Sequence, residues 1–426
     1  MLLKLLLVLL LLAGPLAGPV AAQPALTPVP APVAARPFNI EAATQAYLNT
    51  LTPAQKAKSD AYFEGGYWLQ LWNVLLAVAV AAVFLTTGLS RRLRALVGRL
   101  PRPWLRTLAY AALYLLLAWG LSFPLSVYEG YFREHQYGLS NQTLAAWLGD
   151  ALKSLALTMV FGSLAILAFY AAVRRAGRRW WVWGTGMAGV FLVLSVFAGP
   201  LFISPLFNEY VPLPASPVRE AILSMARANG VPAENVYLVD ASRQSKRISA
   251  NVSGLGSSIR VSLNDNLLRR CTPPEVQAVM GHELGHYVLN HIIKMLVFFG
   301  LLIGIGFWLV DWGYRRLVGR YGPRWDVADL ADVGGLPLAV VLFAGLSFLA
   351  TPVFNTIIRT NEQEADLFGL NAARQPDAFA AIAIKLSEYR KIDPTPLEEM
   401  LFFDHPSGHT RVRSAMRWKA EHLGGK

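Results

Sequence analysis

The residues best suited to catalysis form the pentapeptide His282-Glu283-Leu284-Gly285-His286. Residues four apart in an α-helix lie on one face about one turn apart, so the two imidazoles can converge on one metal ion. A glutamate beside the first histidine can lie next to a metal-bound water without binding the metal, which is the metalloprotease pattern. Two imidazoles, a carboxylate and a water make an open tetrahedral zinc site. The pattern therefore predicts one zinc ion per chain, held by His282 and His286, with Glu283 as the general base.

The neighbours of this motif carry two further expectations. Gly281 and Gly285 stand directly before the two histidines, and we expect their missing side chains to let a substrate approach. His291 lies about 140° round a continuous helix from His286, which excludes it as a metal ligand.

The third metal ligand must come from elsewhere in the chain. A third histidine downstream on the same helix is ruled out, because Leu289 and Ile292 occupy the positions of the required glycine and histidine. A carboxylate from a later helix remains, as in His₂Glu sites. Glu362 and Asp366 are four residues apart and share a helix face, whereas Glu364 points nearly opposite. Periodicity alone leaves Glu362 and Glu364 both open.

The composition predicts an integral membrane protein with a polar domain attached. Of the 426 residues, 54% are hydrophobic and only 15% are charged, and the mean hydropathy is +0.39. A typical globular domain has about 25% charged residues. Cys271 is the one cysteine in the sequence, which excludes an intrachain disulfide and a cysteine metal cluster.

The N-terminal region is predicted to contain an export signal and a tether. Residues 1–22 combine Lys4, a short apolar run and small residues, as in a cleavable signal peptide, with a retained first membrane helix as the alternative. A Pro/Ala-rich tether and one modest helix over 40–66 account for residues 23–66, and Thr52-Pro53 is a helix start signal near the middle of that helix.

Six further apolar segments are long enough to cross a hydrocarbon core of about 30 Å. Four lie within residues 67–203 and two within 288–356. Their positions are 67–89, 104–127, 152–173, 180–203, 288–313 and 333–356.

Arginines in three short connections predict the orientation in the membrane. They lie between the first and second, third and fourth, and fifth and sixth apolar segments, and they number 14, more than the formal net charge of +12. Membrane spans would cut a nucleic-acid-binding face into three pieces, so nucleic acid is not an expected partner. The positive-inside rule instead puts these loops in the cytoplasm and the polar segments on the exported side.

The polar domain is split in sequence, into residues 204–287 and 357–426. A helix over 216–229 and strands over 236–239 and 258–263 are predicted in the first part. A long helix from Pro273 carries the two histidines and is expected to continue into the fifth apolar segment.

Taken together, these motifs resemble the type I CAAX prenyl endopeptidase family of membrane zinc metalloproteases. The pairing of HELGHxxxxH with ExEAD on a second helix carries the resemblance. Shorter matches in the same order are residues 128–131, 138–143, 205–208, 245–247, 249–251 and His405-Pro406. The resemblance implies a mainly α fold: a multi-span transmembrane helical bundle, surrounding a water-containing chamber, with a split gluzincin-like α+β metalloprotease domain.

The resemblance also implies roles for particular residues. Glu362 would be the third zinc ligand, Asp366 a support for the ligands, Asn251 part of the segment that lines the substrate cleft, and His405 a donor to the oxyanion. Arg411 matches a family arginine, although Thr410 replaces the acid that often precedes it, and residues 252–254 lack the family's aromatic stretch. From its position alone, Arg359 is expected either to pair with a carboxylate of the site or to extend from the sixth apolar segment to the membrane surface.

The predicted function is hydrolysis of peptide bonds in peptides or membrane proteins, in the lipid bilayer of a bacterial inner membrane, with the catalytic domain exported. Prenylated CaaX substrates are disfavoured, because the family's eukaryotic members face the cytoplasm, whereas the arginine-rich loops of this chain predict an exported catalytic domain. A transporter or chaperone-like protein with a structural zinc is the alternative. The sequence leaves the oligomeric state open.

Overall fold

The computed structural model describes residues 38–254 and 259–424. The predicted signal segment 1–22 and most of the predicted tether lie outside the described residues. The two parts of the polar domain come together as one unit at one end of a bundle of long apolar helices.

The chain enters this bundle through two helices, α1 (Ile40–Leu48) and α2 (Pro53–Thr86). The prediction of one modest helix over 40–66 is wrong, because the chain turns after Leu48. Thr52 and Gln55 form a reciprocal capping box, and Pro53 at the first helical position fixes a helical φ. The start signal therefore opens a new helix of 34 residues, which continues through the first apolar segment.

Five helices of nine or more residues follow before the polar domain. They are α3 (Leu89–Val97), α4 (Pro103–Val127), α5 (Leu144–Leu157), α6 (Ser163–Ala176) and α7 (Trp180–Ala198). A π-helical turn, Tyr128–Arg133, extends α4, a second one, Thr158–Gly162, joins α5 to α6, and a third, Gly199–Ile203, extends α7.

By length and apolar composition, four described helical stretches can cross a membrane, or five if one bent pair counts as a span. The number differs from the six predicted segments because the third and fourth fall in one helical stretch, Leu144–Leu206. Within it, Gly177 has a φ of +52°, and α6 and α7 pack against each other on either side. This positive φ, which glycine adopts without strain, lets the chain reverse there with almost no loop.

The first part of the polar domain is a small four-stranded sheet with helices packed on it. Its strands are β1 (Tyr210–Pro212), β2 (Val236–Val239), β3 (Ala250–Ser253) and β4 (Arg260–Asn264), in the order β1-β2-β4-β3. β2 and β4 are parallel, and the two outer strands are antiparallel to their neighbours. The helices are α8 (Pro217–Ala228), α9 (Asp265–Arg270) and α10 (Pro273–Val288).

The predicted continuous helix from Pro273 into the fifth apolar segment is wrong, because the chain breaks between α10 and α11 (His291–Trp325). Asn290 has a φ of +56° at the break, a left-handed conformation that asparagine tolerates better than most residues.

The last five helices of the described chain are α12 (Leu336–Leu349), α13 (Thr351–Ala373), α14 (Pro376–Leu386), α15 (Pro396–Phe402) and α16 (Gly408–Leu423). α12 and α13 meet at an angle of 53° and form the bent pair. The bend carries the chain from the bundle into the polar domain, so α13 reaches α10.

Candidate metal centre

The helix α10 is positioned between two hydrophobic cores. Glu275 accepts a hydrogen bond from the Thr272 N–H at 2.6 Å and so caps the helix start. Val276, Met280 and Leu284 are buried in the core formed with the sheet and α8. His282 and His286 lie on the opposite side of the helix, which packs against α13.

Glycines let α10 and α13 approach closely. A Cβ atom on Gly369 would lie 2.7 Å from the His282 backbone nitrogen, and one on Gly281 would lie 3.0 Å from the Gly369 carbonyl oxygen. A Cβ on Gly285 would meet the Phe368 ring at 3.1 Å. The expectation that Gly281 and Gly285 leave room for a substrate is therefore wrong: they leave room for the neighbouring helix.

This close packing brings three donor groups together. The Nε2 atoms of His282 and His286 are 3.1 Å apart, Glu362 Oε2 is 3.2 Å from His282 Nε2, and Glu362 Oε1 is 3.4 Å from His286 Nε2. Ligands bound about 2.0–2.2 Å from a tetrahedral zinc ion lie about 3.3 Å from one another. The donor set and its spacing thus fit a divalent metal of the zinc type.

Glu362 itself has the environment of a metal ligand. Its side chain is buried, and its Oε2 atom makes no well-directed hydrogen bond to any described residue, although His282 Nε2 and His405 Nε2 both lie 3.2 Å away. A buried carboxylate oxygen without a partner is costly unless a cation compensates it. Glu364, the alternative that periodicity left open, instead contacts His291 and Lys294.

His282 is held by a buried ion pair. Its Nδ1–H donates to Asp366 Oδ1 at 2.8 Å, and Arg411 donates to both oxygens of Asp366, at 3.0 and 2.5 Å. Without a bound metal, burial disfavours the charged imidazole, but the hydrogen bond to Asp366 and the negative charges of Asp366 and Glu362 outweigh it and raise the His282 pKa to about 10. Burial and the charge of His282 lower the pKa of His286 to about 4.

Glu283 opens onto a cavity of about 200 Å³ beside the metal ligands. Its walls include His282, Glu362, His405 and Arg411. Burial raises the pKa of Glu283 to about 7, against the opposing charge of His282. The carboxyl group can therefore take up and release a proton near neutral pH.

His405 lies in the same cavity. Its Nε2 is 3.2 Å from Glu362 Oε2, and its Nδ1 is 2.8 Å from Asp404 Oδ1. Arg359 supports the segment before it by donating to the backbone carbonyls of Glu399 at 2.9 Å and Phe403 at 2.5 Å. Neither expected alternative for Arg359 is correct, because its donors bind carbonyl groups that α15 leaves unpaired.

Asn251 stands apart from the other predicted residues. It lies on the edge strand β3 with an exposed side chain, while the adjacent residues Ser249 and Ala250 line the cavity. Its role in the substrate cleft stays a prediction.

His291 is the residue that sequence reasoning underestimated. It is completely buried, and its Nδ1 is 3.0 Å from Nδ1 of His286, on the side of that ring away from the three donor atoms. The exclusion of His291 as a ligand agrees with this geometry, but its contact depends on the break at Asn290. A left-handed asparagine is a weak sequence signal.

Two protein-family models together match nearly the whole described chain. The CAAX prenyl protease N-terminal domain, described as five membrane helices, matches residues 40–209, and peptidase family M48 matches residues 212–419. YhfN, an uncharacterised metalloprotease of Bacillus subtilis, is 28% identical over 370 residues, which are 86% of each chain. CAAX prenyl protease 1 of Saccharomyces cerevisiae is 26% identical over 321 residues, which are 71% of this chain and 70% of that protein.

The fold has a solved counterpart. The crystal structure of S. mikatae Ste24p superimposes with a TM-score of 0.71 at 21% sequence identity, covering 88% of this chain and 94% of that one. This similarity confirms the predicted fold class, a multi-span helical membrane protein with a metalloprotease domain.

The chain is therefore a membrane metalloprotease. It belongs to peptidase family M48, in the group that carries the CAAX prenyl protease N-terminal domain, and the predicted resemblance is confirmed. This membership favours a protease over the transporter or chaperone-like alternative.

Proposed function

We propose that this chain is a zinc endopeptidase that cleaves peptides or membrane proteins at the surface of a bacterial inner membrane. The observation that carries the proposal is the convergence of His282, His286 and Glu362, whose donor atoms lie within 3.4 Å of their neighbours, beside a cavity lined by Glu283. In this proposal those three side chains hold one zinc ion per chain.

Glu283 and the metal divide the chemistry between them. A zinc ion in this position supplies a Lewis acid that acidifies a water and polarises the scissile carbonyl. Glu283 accepts the proton of the attacking water and passes it to the leaving amine. Its pKa of about 7 suits both steps near neutral pH.

His405 stabilises the transition state in this mechanism. Asp404 accepts a hydrogen bond from Nδ1 at 2.8 Å and so orients the ring, whose Nε2 lies 3.3 Å from the Arg390 guanidinium. In its imidazolium form, paired with Asp404, His405 carries a second hydrogen on Nε2 and donates it to the developing oxyanion. The loss of one such donor typically lowers the rate by about 10²–10³. Apolar side chains in the lining of the cavity suit an apolar substrate residue; they are Val279, Phe379, Ile382 and Leu386.

The arginine-rich loops support an exported catalytic domain. Arg91 and Arg92 on α3 are exposed, as are the arginines at the α6–α7 turn, whereas Arg94 pairs with Asp326 and Asp332. Anionic lipid headgroups and the positive-inside rule favour the cytoplasm for such loops. An alkaline phosphatase fused after Lys426 should be active, and a cytoplasmic reporter at the same position should be inactive; the reverse pattern would overturn the orientation.

The decisive test of the reaction is the Glu283→Gln variant. Purified full-length protein in detergent is assayed for cleavage of casein or a membrane-derived peptide, and its zinc content is measured. We expect the variant to keep its zinc and lose activity by at least about 10²–10⁴. A chelator should abolish wild-type cleavage and added zinc should restore it. Cleavage unaffected by both the substitution and the chelator would refute the proposal.

A further inference from the structure

We propose that His291 is a positioning residue of the metal centre, acting on His286 through a chain of hydrogen bonds that ends at Lys294. This inference rests on the proposed metal site. It assigns a role to three polar residues that the proposed reaction does not use.

The chain runs through three helices. From His286 Nδ1 on α10 it reaches His291 Nδ1 on α11 at 3.0 Å, and from His291 Nε2 it reaches Glu364 Oε2 on α13, also at 3.0 Å. Lys294, one turn further along α11, donates to the same oxygen at 2.6 Å. Each step lies within hydrogen-bond distance.

The acceptor at the end of the chain sets the direction of every bond. Glu364 next to Lys294 accepts, so His291 Nε2 must carry a hydrogen and donate it. The Nδ1 atom of a neutral His291 is then an acceptor, and it takes the N–H of His286 Nδ1. This leaves His286 Nε2 without a hydrogen and with its lone pair free for the metal.

The backbone holds His291 in this position. It is the first residue of α11 and is completely buried, and Asn290 in its left-handed conformation turns the chain so that His291 faces back toward His286. The outer end of the chain is different, since the side chains of Glu364 and Lys294 are 44% and 41% exposed. The inner link is therefore shielded from solvent, whereas the outer link is partly solvated.

A supporting hydrogen bond of this kind orients a metal-bound histidine and fixes its tautomer. Loss of such a partner typically weakens metal binding or activity by about 10–100-fold. His291 does not bind the metal itself, because it contacts the ring nitrogen of His286 that points away from Glu362.

The test compares zinc affinity in two variants of His291. Full-length protein in detergent is stripped of metal, and zinc affinity is measured by competition with a chromophoric chelator. His291→Gln keeps an oxygen acceptor for His286 and an N–H donor for Glu364, whereas His291→Leu keeps neither. We expect an affinity about 10–100-fold lower for His291→Leu and close to the wild type for His291→Gln.

Controls separate this role from a purely structural one. His422→Leu removes an exposed histidine whose hydrogen bond within the described part of the chain is to the Trp418 carbonyl of α16, and it should leave zinc affinity unchanged. Equal affinities in wild type and His291→Leu would overturn the proposal, as would equal losses in the two His291 variants. If His291→Leu does not fold, Glu364→Leu and Glu364→Gln decide by the same comparison: the leucine variant should bind zinc more weakly, and equal affinities would overturn the proposal.

Two reference proteins distinguish a failure of this inference from a failure of the proposed function. His282→Ala removes a proposed ligand and should lose tight zinc binding. If the wild type itself binds zinc no better than His282→Ala, the proposed metal site is wrong. If the wild type binds zinc and the His291 variants match it, only the role of His291 is wrong.

Discussion

His282 and His286 lie on consecutive turns of one helix, yet their second ring nitrogens meet opposite surroundings. His282 donates to the buried carboxylate of Asp366, which Arg411 neutralises. His286 instead faces the imidazole of His291, and the nearest charges beyond it belong to a partly exposed ion pair.

The difference shows that neighbouring elements, not the spacing of the motif, set the electrostatics of each ligand. α13 and α16 surround His282 with negative charge and raise its pKa to about 10, whereas burial and the charge of His282 lower that of His286 to about 4. At neutral pH a metal ion must therefore displace a proton from His282, whereas His286 is already neutral and can bind the metal directly.

The largest expected effect comes from Asp366→Leu. The substitution leaves Arg411 buried without its counter-ion and His282 without its acceptor, so the metal-free protein should lose about 3–5 kcal/mol of stability. Glu364→Leu, at the exposed end of the other network, removes a partly exposed ion pair and the acceptor of His291, and should cost less, about 1–3 kcal/mol. Thermal melting in detergent compares the stabilities of the two variants. Equal melting temperatures would contradict the proposed difference between the support of His282 by Asp366 and the support of His286 through Glu364.

A smaller effect is expected from Gly369→Ala. The new methyl group would lie 2.7 Å from the His282 backbone nitrogen, so α10 and α13 must separate, at a cost of about 1–3 kcal/mol. Zinc affinity should fall with stability, because Glu362 moves with α13. Gly345→Ala is the matched control, since a Cβ there has no neighbour within 4 Å among the described residues. A Gly369→Ala protein that melts and binds zinc like the control would contradict the tight interface.

The smallest effect concerns pH. Because the His282 pKa of about 10 lies above the pH, zinc must displace one proton, and each unit of rising pH should strengthen zinc binding about tenfold between pH 7.5 and 9.5. His286 adds nothing in this range, since its pKa of about 4 keeps it neutral. Chelator competition at several pH values gives the slope. A zinc affinity independent of pH would show that His282 carries no proton on Nε2 in the metal-free protein.

The sequence predicts those parts of the site that depend on local spacing. His282, Glu283 and His286 are fixed by one helical turn, and Thr52-Pro53 and Ser216-Pro217 mark real helix starts.

What the sequence leaves open depends on contacts between distant segments. Periodicity cannot choose between Glu362 and Glu364, because the answer depends on which face of α13 packs against α10. Nothing in the sequence around Gly281, Gly285 and Gly369 indicates which helix packs against these glycines. Arg359 contacts the end of α15, 40 residues away along the chain, and His291 reaches His286 only because Asn290 breaks the helix.

A crystal of the zinc-loaded protein, measured on both sides of the zinc absorption edge, tests the central claim most directly. We predict one anomalous peak per chain, about 2.0–2.2 Å from His282 Nε2, His286 Nε2 and a carboxylate oxygen of Glu362. A crystal with no peak at these three side chains, or with its zinc bound elsewhere in the chain, would contradict the account.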